Sequence, residues 1–259
     1  MISVEDIIKK IEEKAPLALA YEWDNSGFIC GDKKKKVKNI FLTLDVTVNT
    51  VNEALEKGAD MIISHHPILF KGINKIDYSS TQGYIVKTLI ENNIALYAAH
   101  TSMDNASGGI NDILAEKLSL KNIKIIEENK EFCNCGLGRV GELEKETTLK
   151  EFAEIVKKNL NTPFVRVCGD FNKKIKYVAV GGGACDDLII PALMMGADVM
   201  VTSDMKYHIS IDSVENGICV IDAGHYPTEH FVIDIFEEIL KGEDINIFKS
   251  EEKDIFKAV

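Results

Sequence analysis

The sequence predicts an α/β fold of two similar halves, with mixed sheets flanked by helices and a duplicated topology. Three observations lead there. Short apolar strand patterns alternate with helical ones from end to end, which is how sheets covered by helices are built. The order of elements in the first half returns in the second. Both copies also close on one figure, a strand, a small residue, a histidine, three residues and an acid: "LYAAHTSMD" and "VIDAGHYPTE".

The first copy opens with "MISVEDIIKKIEEKAP", a charged amphipathic helix begun by Ser3 rather than a signal peptide. "NIFLTLDV" reads as a strand, residues 48–57 as a helix, "DMIIS" as a strand and residues 82–92 as a helix. "IALYAA" is the next strand, and a helix over 109–118 follows. The second copy gives "KYVAVGGG", a helix over 187–195, "DVMVTSD", a helix near 209–215, "ICVIDAG" and a long helix after Pro227. "EKGADMIISHH" aligns with "MMGADVMVTSD", so Gly58-Ala59-Asp60 matches Gly196-Ala197-Asp198. The halves are expected at 1–126 and 127–259, the first carrying the double histidine and HxxxD, the second HxxxE.

With 259 residues, roughly three quarters of the unfolded chain's surface can be buried, so no disulfide or structural metal is needed for stability. The net charge of −11 argues against general nucleic-acid or anionic-membrane binding. The basic run Lys33 to Lys36 lies between strand patterns and reads as a solvated turn. Six cysteines are scattered without a CxxC pair, and Cys133 and Cys135 are too close to count as a zinc knuckle. That usage fits a reducing cytosol. The most apolar window, "LIIPALMMGADVMV", is interrupted by Pro191, Gly196 and Asp198 and is too short to span a bilayer. A soluble cytoplasmic protein is expected.

The histidines carry the chemistry. His65-His66 follow "MIIS", His100 precedes Asp104 after "IALYAA", His208 follows Ser203-Asp204, and His225 precedes Glu229 with His230 adjacent. All six sit at strand C-terminal ends or on the first turn beyond, the edge where open α/β sheets place their sites. Imidazole with carboxylate is a ligand set for zinc, iron, nickel or manganese. Two adjacent histidines, one further histidine and two acids fit a pair of metals sharing a bridging carboxylate. Such ions lie about 3.5–4 Å apart, acidify water and clamp an anionic transition state. Adjacent side chains alternate in an extended chain, so His65 and His66 are expected to point apart and serve different metals.

Other signals are weaker. "GGGACD" (181–186) reads as a tight strand-to-helix turn rather than a phosphate cradle, since it lacks GxGxxG spacing. "EWDNSGF" (22–28), with the single tryptophan, reads as a packed loop, and Arg139 in "GLGRVGEL" as an exposed strand arginine.

The ordered set "WDNSGFICG", "SHHPILFKGI", "HTSMDNASGGIN", "GLGRVGEL", "DVMVTSDMKYH" and "GHYPTEHF" resembles the dinuclear metal-binding proteins called GTP cyclohydrolase I type 2 homologues, the YbgI-like, NGG-interacting-factor-like family. The resemblance runs from the first helix to the last. It implies that His65, His66, Asp104, His225 and Glu229 hold two divalent transition metal ions per subunit. It implies that the two α/β halves are interlocked, that His100 and His208 face the same pocket from outside the ligand set, and that the subunits form a toroidal hexamer. Some members insert a domain between the halves; this chain has only about twenty residues between "IKIIEE" and "TTLKEF" and resembles the short form. It carries Ser203 where the family usually has glycine.

The expected activity is metal-dependent hydrolysis of a nucleotide or phosphate ester through a metal-bound hydroxide, with Glu229 or Asp104 bridging the ions and His100 or His208 shuttling a proton. The alternative is a non-catalytic metal-binding scaffold or metal-handling protein. Opening of the GTP purine ring is implied by the family name alone.

Overall fold

The computed structural model describes residues 2–259. The chain runs through β1 (Ile2–Ser3), α1 (Val4–Lys14), β2 (Gly27–Cys30), β3 (Lys36–Val37), β4 (Asn39–Thr43), α2 (Val48–Glu56), β5 (Met61–Ser64), α3 (Thr81–Glu91), β6 (Ala95–Ala98), α4 (Thr101–Asn105) and α5 (Ile110–Lys117). It continues with β7 (Lys121–Glu128), β8 (Gly136–Thr148), α6 (Leu149–Asn159), β9 (Arg166–Cys168), β10 (Lys174–Val180), α7 (Ile189–Met194) and β11 (Val199–Thr202). The last elements are α8 (Tyr207–Glu215), β12 (Cys219–Asp222), α9 (His225–Glu229), α10 (Val232–Ile239) and β13 (Asn246–Lys249). Two compact units result, one of residues up to Met103 with Val232–Lys253, the other of Asp104–Phe231 with Asp254–Val259.

The first unit holds a five-stranded sheet in the order β13-β4-β5-β6-β2. Its first four strands are parallel, and β2 runs antiparallel on the β6 edge. The second holds a six-stranded sheet, β7-β8-β10-β11-β12-β9. Here β10, β11 and β12 are parallel, and β9 is the antiparallel edge beside β12. Each unit therefore repeats one plan, three parallel strands flanked by an antiparallel strand that precedes them in sequence. The central strands "MIIS" and "VMVT" are buried at every residue, as two-sided coverage by helices requires.

The repeat extends to single hydrogen bonds. Asp60 Oδ2 accepts from the amides of Lys38 (2.8 Å) and Asn39 (3.0 Å) at the start of β4. Asp198 Oδ2 accepts from Lys176 and Tyr177 in β10, both at 2.8 Å. Lys35 Nζ donates to Asp60 O and Asn93 O, as Lys173 Nζ does to Asp198 O and Gly217 O. The shared Gly-Ala-Asp is thus a device for pinning one strand to the next. The helices opening the copies match as well. Ser3 with Asp6 and Thr148 with Glu151 form capping boxes on α1 and α6. The α1 amides of Val4 and Glu5 bond Lys35 O and Lys33 O, and the α6 amides of Leu149 and Lys150 bond Lys173 O and Phe171 O.

The structure departs from the sequence reading in places. The hairpin β7–β8, joined by residues 129–135, was not expected; among the described residues it is what lies between α5 and α6. The long helix expected after Pro227 is two short ones, interrupted at His230 and Phe231. Residues 187–195 form a 3-10 turn followed by α7. All six cysteines are free thiols. Among the described residues no helix is long and apolar enough to cross a membrane.

Candidate metal centre

Three imidazoles meet in the first unit. Strand β5 ends at Ser64, whose Oγ bonds His66 O at 2.9 Å, and the amides of His65 and His66 bond Thr43 O and Leu44 O. The His65 and His66 rings lie 4.8 Å apart, and both approach His100, at 5.1 and 5.4 Å between centroids. One nitrogen from each of the three lies within 4.8 Å of the others.

The remaining nitrogens are committed to oxygen. His65, wholly buried, donates from Nδ1 to Ala99 O at 2.8 Å. His66 Nδ1 bonds Asp45 Oδ1 and His100 Nδ1 bonds Asp24 Oδ1, each at 2.8 Å. A carbonyl or carboxylate oxygen offers no proton, so Nδ1 carries the hydrogen and the lone pair lies on Nε2. That is the arrangement by which proteins prepare histidine for a metal. Asp24 is itself anchored, accepting from Ser26 Oγ (2.6 Å), Thr101 N (3.1 Å) and Thr101 Oγ1 (2.6 Å). Burial pushes its carboxyl up, but the bonds from His100, Ser26 and Thr101 outweigh this and hold it far below the usual carboxylate range.

The second unit gathers a histidine and carboxylates. His225 opens α9, after Gly224 at φ +87°. Its Nδ1 bonds Asp204 Oδ2 at 2.5 Å, and its Nε2 lies 3.0 Å from Glu229 Oε2, one helical turn on. With Nδ1 serving Asp204, the close approach of Nε2 and a carboxylate oxygen calls for a cation or a second proton between them. Asp204 adopts the left-handed conformation, φ +54°, and Ser203 Oγ donates to its carboxylate at 3.3 Å. Ser203 therefore contributes a hydroxyl to the group that orients His225. Asp104, also buried, lies on α4, and its carbonyl accepts from Asn111 Nδ2 at 3.0 Å.

The glycine run after β10 is the expected tight turn, and it also makes room for the acid. A Cβ on Gly183 (φ +64°) would fall 2.1 Å from Glu229 Oε1 and 3.2 Å from His225 Nε2. The Gly183 amide bonds Thr228 Oγ1 at 3.1 Å, tying the turn to α9.

The sequence-predicted residues thus fall into groups. His65, His66 and His100 come together in the first unit, and His225 and Glu229 in the second. His208 is exposed on α8 with its ring against Tyr207 at 5.4 Å, and among the described residues it belongs to no three-donor cluster. His230 stacks on Tyr226, centroids 4.8 Å apart. The sequence reading missed Asp24 and Asp45. Each follows a strand or turn pattern with an acid at a strand-end edge, which was the available signal. "EWDNSGF" is more than a packed loop, since it delivers Asp24 to His100 while leaving Trp23 exposed. Arg139 is not exposed: it is 1% accessible, and its guanidinium holds Asp112 of α5 at 2.5 and 3.0 Å.

The chain has clear relatives. The family profile described as Duf34/NIF3 (NGG1p interacting factor 3) matches residues 2–255. A Clostridium acetobutylicum protein named GTP cyclohydrolase 1 type 2 homolog is 39% identical over 242 residues, covering 93% of this chain and 90% of that one. Among solved structures, a Bacillus cereus protein related to NIF3 superposes with a TM-score of 0.91 at 28% identity, covering 100% of this chain and 99% of the other. Reduced HcgD from Methanocaldococcus jannaschii gives 0.82 at 34% identity, covering 97% and 98%. Sequence and fold agree, and the chain belongs to the Duf34/NIF3 family.

Proposed function

We propose that this protein is a dinuclear metal-dependent hydrolase acting on a small anionic substrate of the nucleotide or phosphate-ester class. In this reading His65, His66, Asp104, His225 and Glu229 are the ligands. One observation carries it: His65, His66, His100 and His225 each have Nδ1 bonded to a carbonyl or carboxylate oxygen, which puts the ring lone pair on Nε2, and the Nε2 of His225 lies 3.0 Å from the Glu229 carboxylate. Imidazoles placed for packing alone have no need of that uniformity. A bound pair of divalent ions, zinc, iron, manganese or nickel, would supply an acidified water and positive charge for the substrate's anionic group.

The chain's own residues do the rest. Asp45 and Asp204 fix the rings of His66 and His225 and keep the proton on Nδ1. Glu229, buried at 3% exposure, presents a carboxylate beside His225 Nε2. His100 stands against the His65–His66 pair and outside the proposed ligand set, so its Nε2 can take and return a proton, with Asp24 stabilising the imidazolium. His208, exposed on α8, would act at the periphery. A hexameric ring and a cytoplasmic location belong to the same proposal; the ring rests on family membership and the location on the scattered free thiols, which suit a reducing compartment.

The test is metal analysis paired with a substrate panel. Purified and reconstituted protein is expected to hold about two transition metals per chain, and fewer than one per two chains would undo the dinuclear reading. Fully metallated protein is then assayed with nucleotides and phosphodiesters beside Glu229→Gln. Turnover that survives unchanged in the variant would remove the activity from this site. A silent panel would favour a metal-handling scaffold.

A further inference from the structure

Two aromatic side chains beside the imidazole cluster are left exposed by the fold. Trp23, the single tryptophan, is 63% exposed and Phe70 is 50% exposed. The Trp23 turn is closed by Asp24 N on Tyr21 O (3.0 Å), and Tyr21 N donates to Thr101 Oγ1 (3.1 Å). The Asp24 carboxylate next to Trp23 is fixed by His100, Ser26 and Thr101. The indole stacks on Tyr21, with centroids 5.8 Å apart and planes 11° apart. Asn25 Nδ2 donates to Leu69 O, which ties this turn to the segment carrying Phe70.

Both rings also stand edge-to-face with one histidine. Trp23 meets His100 at 6.1 Å and 76°, and Phe70 meets it at 5.6 Å and 82°. A cavity of about 290 Å³ adjoins Phe70, with His66, Asp45 and Gln82 on its polar side and Val46, Ile68 and Ile85 among its apolar walls. Aromatic surface with a few converging polar groups is the usual make-up of a small-molecule site. The neighbours decide the occupant. Apolar walls with an imidazole, a carboxylate and an amide among them suit a flat ring that has an apolar face and hydrogen-bonding edges.

We propose that Trp23 and Phe70 form a subsite for the planar heteroaromatic ring of a small anionic substrate, such as the base of a nucleotide, beside the His65–His66–His100 cluster. The proposal rests on the metal-centre reading for the fate of the substrate's anionic part. Ring binding itself needs neither metal nor turnover.

Because Trp23 is the single tryptophan, its emission reports directly on this subsite. Full-length protein, metal-free and metal-loaded, is titrated with adenosine and guanosine 5′-monophosphates and with ribose 5-phosphate, with calorimetry in parallel to remove optical artefacts. Saturable quenching by the nucleotides and none by the sugar phosphate is expected. Phe70→Leu, which keeps apolar bulk at an exposed position, should weaken nucleotide binding by about ten-fold, within the effect of losing one base–aromatic stack. Its metal content should be unchanged. Three results overturn the proposal: equal responses to nucleotide and sugar phosphate, wild-type affinity in Phe70→Leu, or Trp23 emission that ligands leave alone but dilution of the protein changes. The last would mean that a second copy covers the rings. Failure of metal loading with nucleotide quenching intact would overturn the metal reading and leave this one standing.

Discussion

Replacing Asp45 separates preparation of a metal ligand from stability of the fold. Its carboxylate oxygen accepts from His66 Nδ1 at 2.8 Å, while its side chain is 48% exposed. A half-exposed pair with histidine is worth at most about 1 kcal/mol to folding once solvent screening is allowed for. The backbone of Asp45 keeps its own bonds, with its carbonyl accepting from Thr43 Oγ1 and Thr50 Oγ1 and its amide donating to Glu252. So Asp45→Ala should fold as the wild type does and move the urea midpoint little. Metal binding should change more. Without the acceptor, position 45 no longer keeps the His66 proton on Nδ1, and removal of such partners costs roughly 10–100-fold in metal affinity. That is about 1.4–2.7 kcal/mol. Asp45→Asn, whose amide oxygen can still accept the Nδ1 proton, should fall at the small end. The assay is competition with a chromophoric chelator, with nitrogen-15 NMR of the imidazoles to read the tautomer. Wild-type metal affinity in Asp45→Ala would refute the reasoning, and so would a loss of folding stability as large as the loss in binding.

Three further outcomes follow from the structure. Gly183→Ala puts a methyl 2.1 Å from Glu229 Oε1 at a φ of +64°, so about 1–2 kcal/mol of stability and a share of bound metal should be lost together, as read by urea denaturation and metal analysis. Arg139→Met breaks a buried fork on Asp112 and should cost about 3–5 kcal/mol in the same denaturation assay; a loss under 1 kcal/mol would show that the pair contributes little. For Glu151, bonds from the Thr148 amide and hydroxyl and from Thr147 hold the carboxyl at about 2 in the folded state. Its contribution is therefore present above the unfolded value of about 4.3 and is lost as pH falls toward 2, so the stability gap between wild type and Glu151→Gln should shrink over that window and stay constant near neutrality.

What was legible in the sequence was whatever has a local period or a local spacing. "MIIS", "ALYA" and "VMVT" announce central strands because every residue is buried, and Ser3 announces a helix because its cap is three residues away. His225 and Glu229 are legible as a pair because one helical turn brings i and i+4 together. The partners of the imidazoles were not. Asp24 lies 76 residues from His100 and Asp45 lies 21 from His66, so no window contains both ends of either bond. Arg139 reads as an exposed strand residue because "GLGRVGEL" alternates weakly. Only α5, which brings Asp112 to it, shows why a charge can be buried there. Gly183 was legible as a turn and not as the space beside Glu229, since a missing Cβ has meaning only against the atom it would strike.

The duplication explains how one plan yields donors of two kinds. With Gly58-Ala59-Asp60 laid on Gly196-Ala197-Asp198, His65 and His66 fall on Ser203 and Asp204. In both copies the second of these positions lies against the histidine that follows the third parallel strand. His66 is 5.4 Å from His100 between ring centroids, and Asp204 accepts the Nδ1 proton of His225 at 2.5 Å. One position therefore presents a nitrogen lone pair in the first copy and a proton acceptor in the second. Where the second copy spends that position on orienting its histidine, the first draws its acceptors from elsewhere: Asp24 from the turn before β2 and Asp45 from the end of β4. Exchanging the roles, as in His66→Asp, should therefore give His100 a second acceptor and remove one metal-ready nitrogen. It would make the first copy resemble the second, and it should abolish the three-imidazole cluster without disturbing β5, whose bonds to β4 and β6 are made by backbone alone.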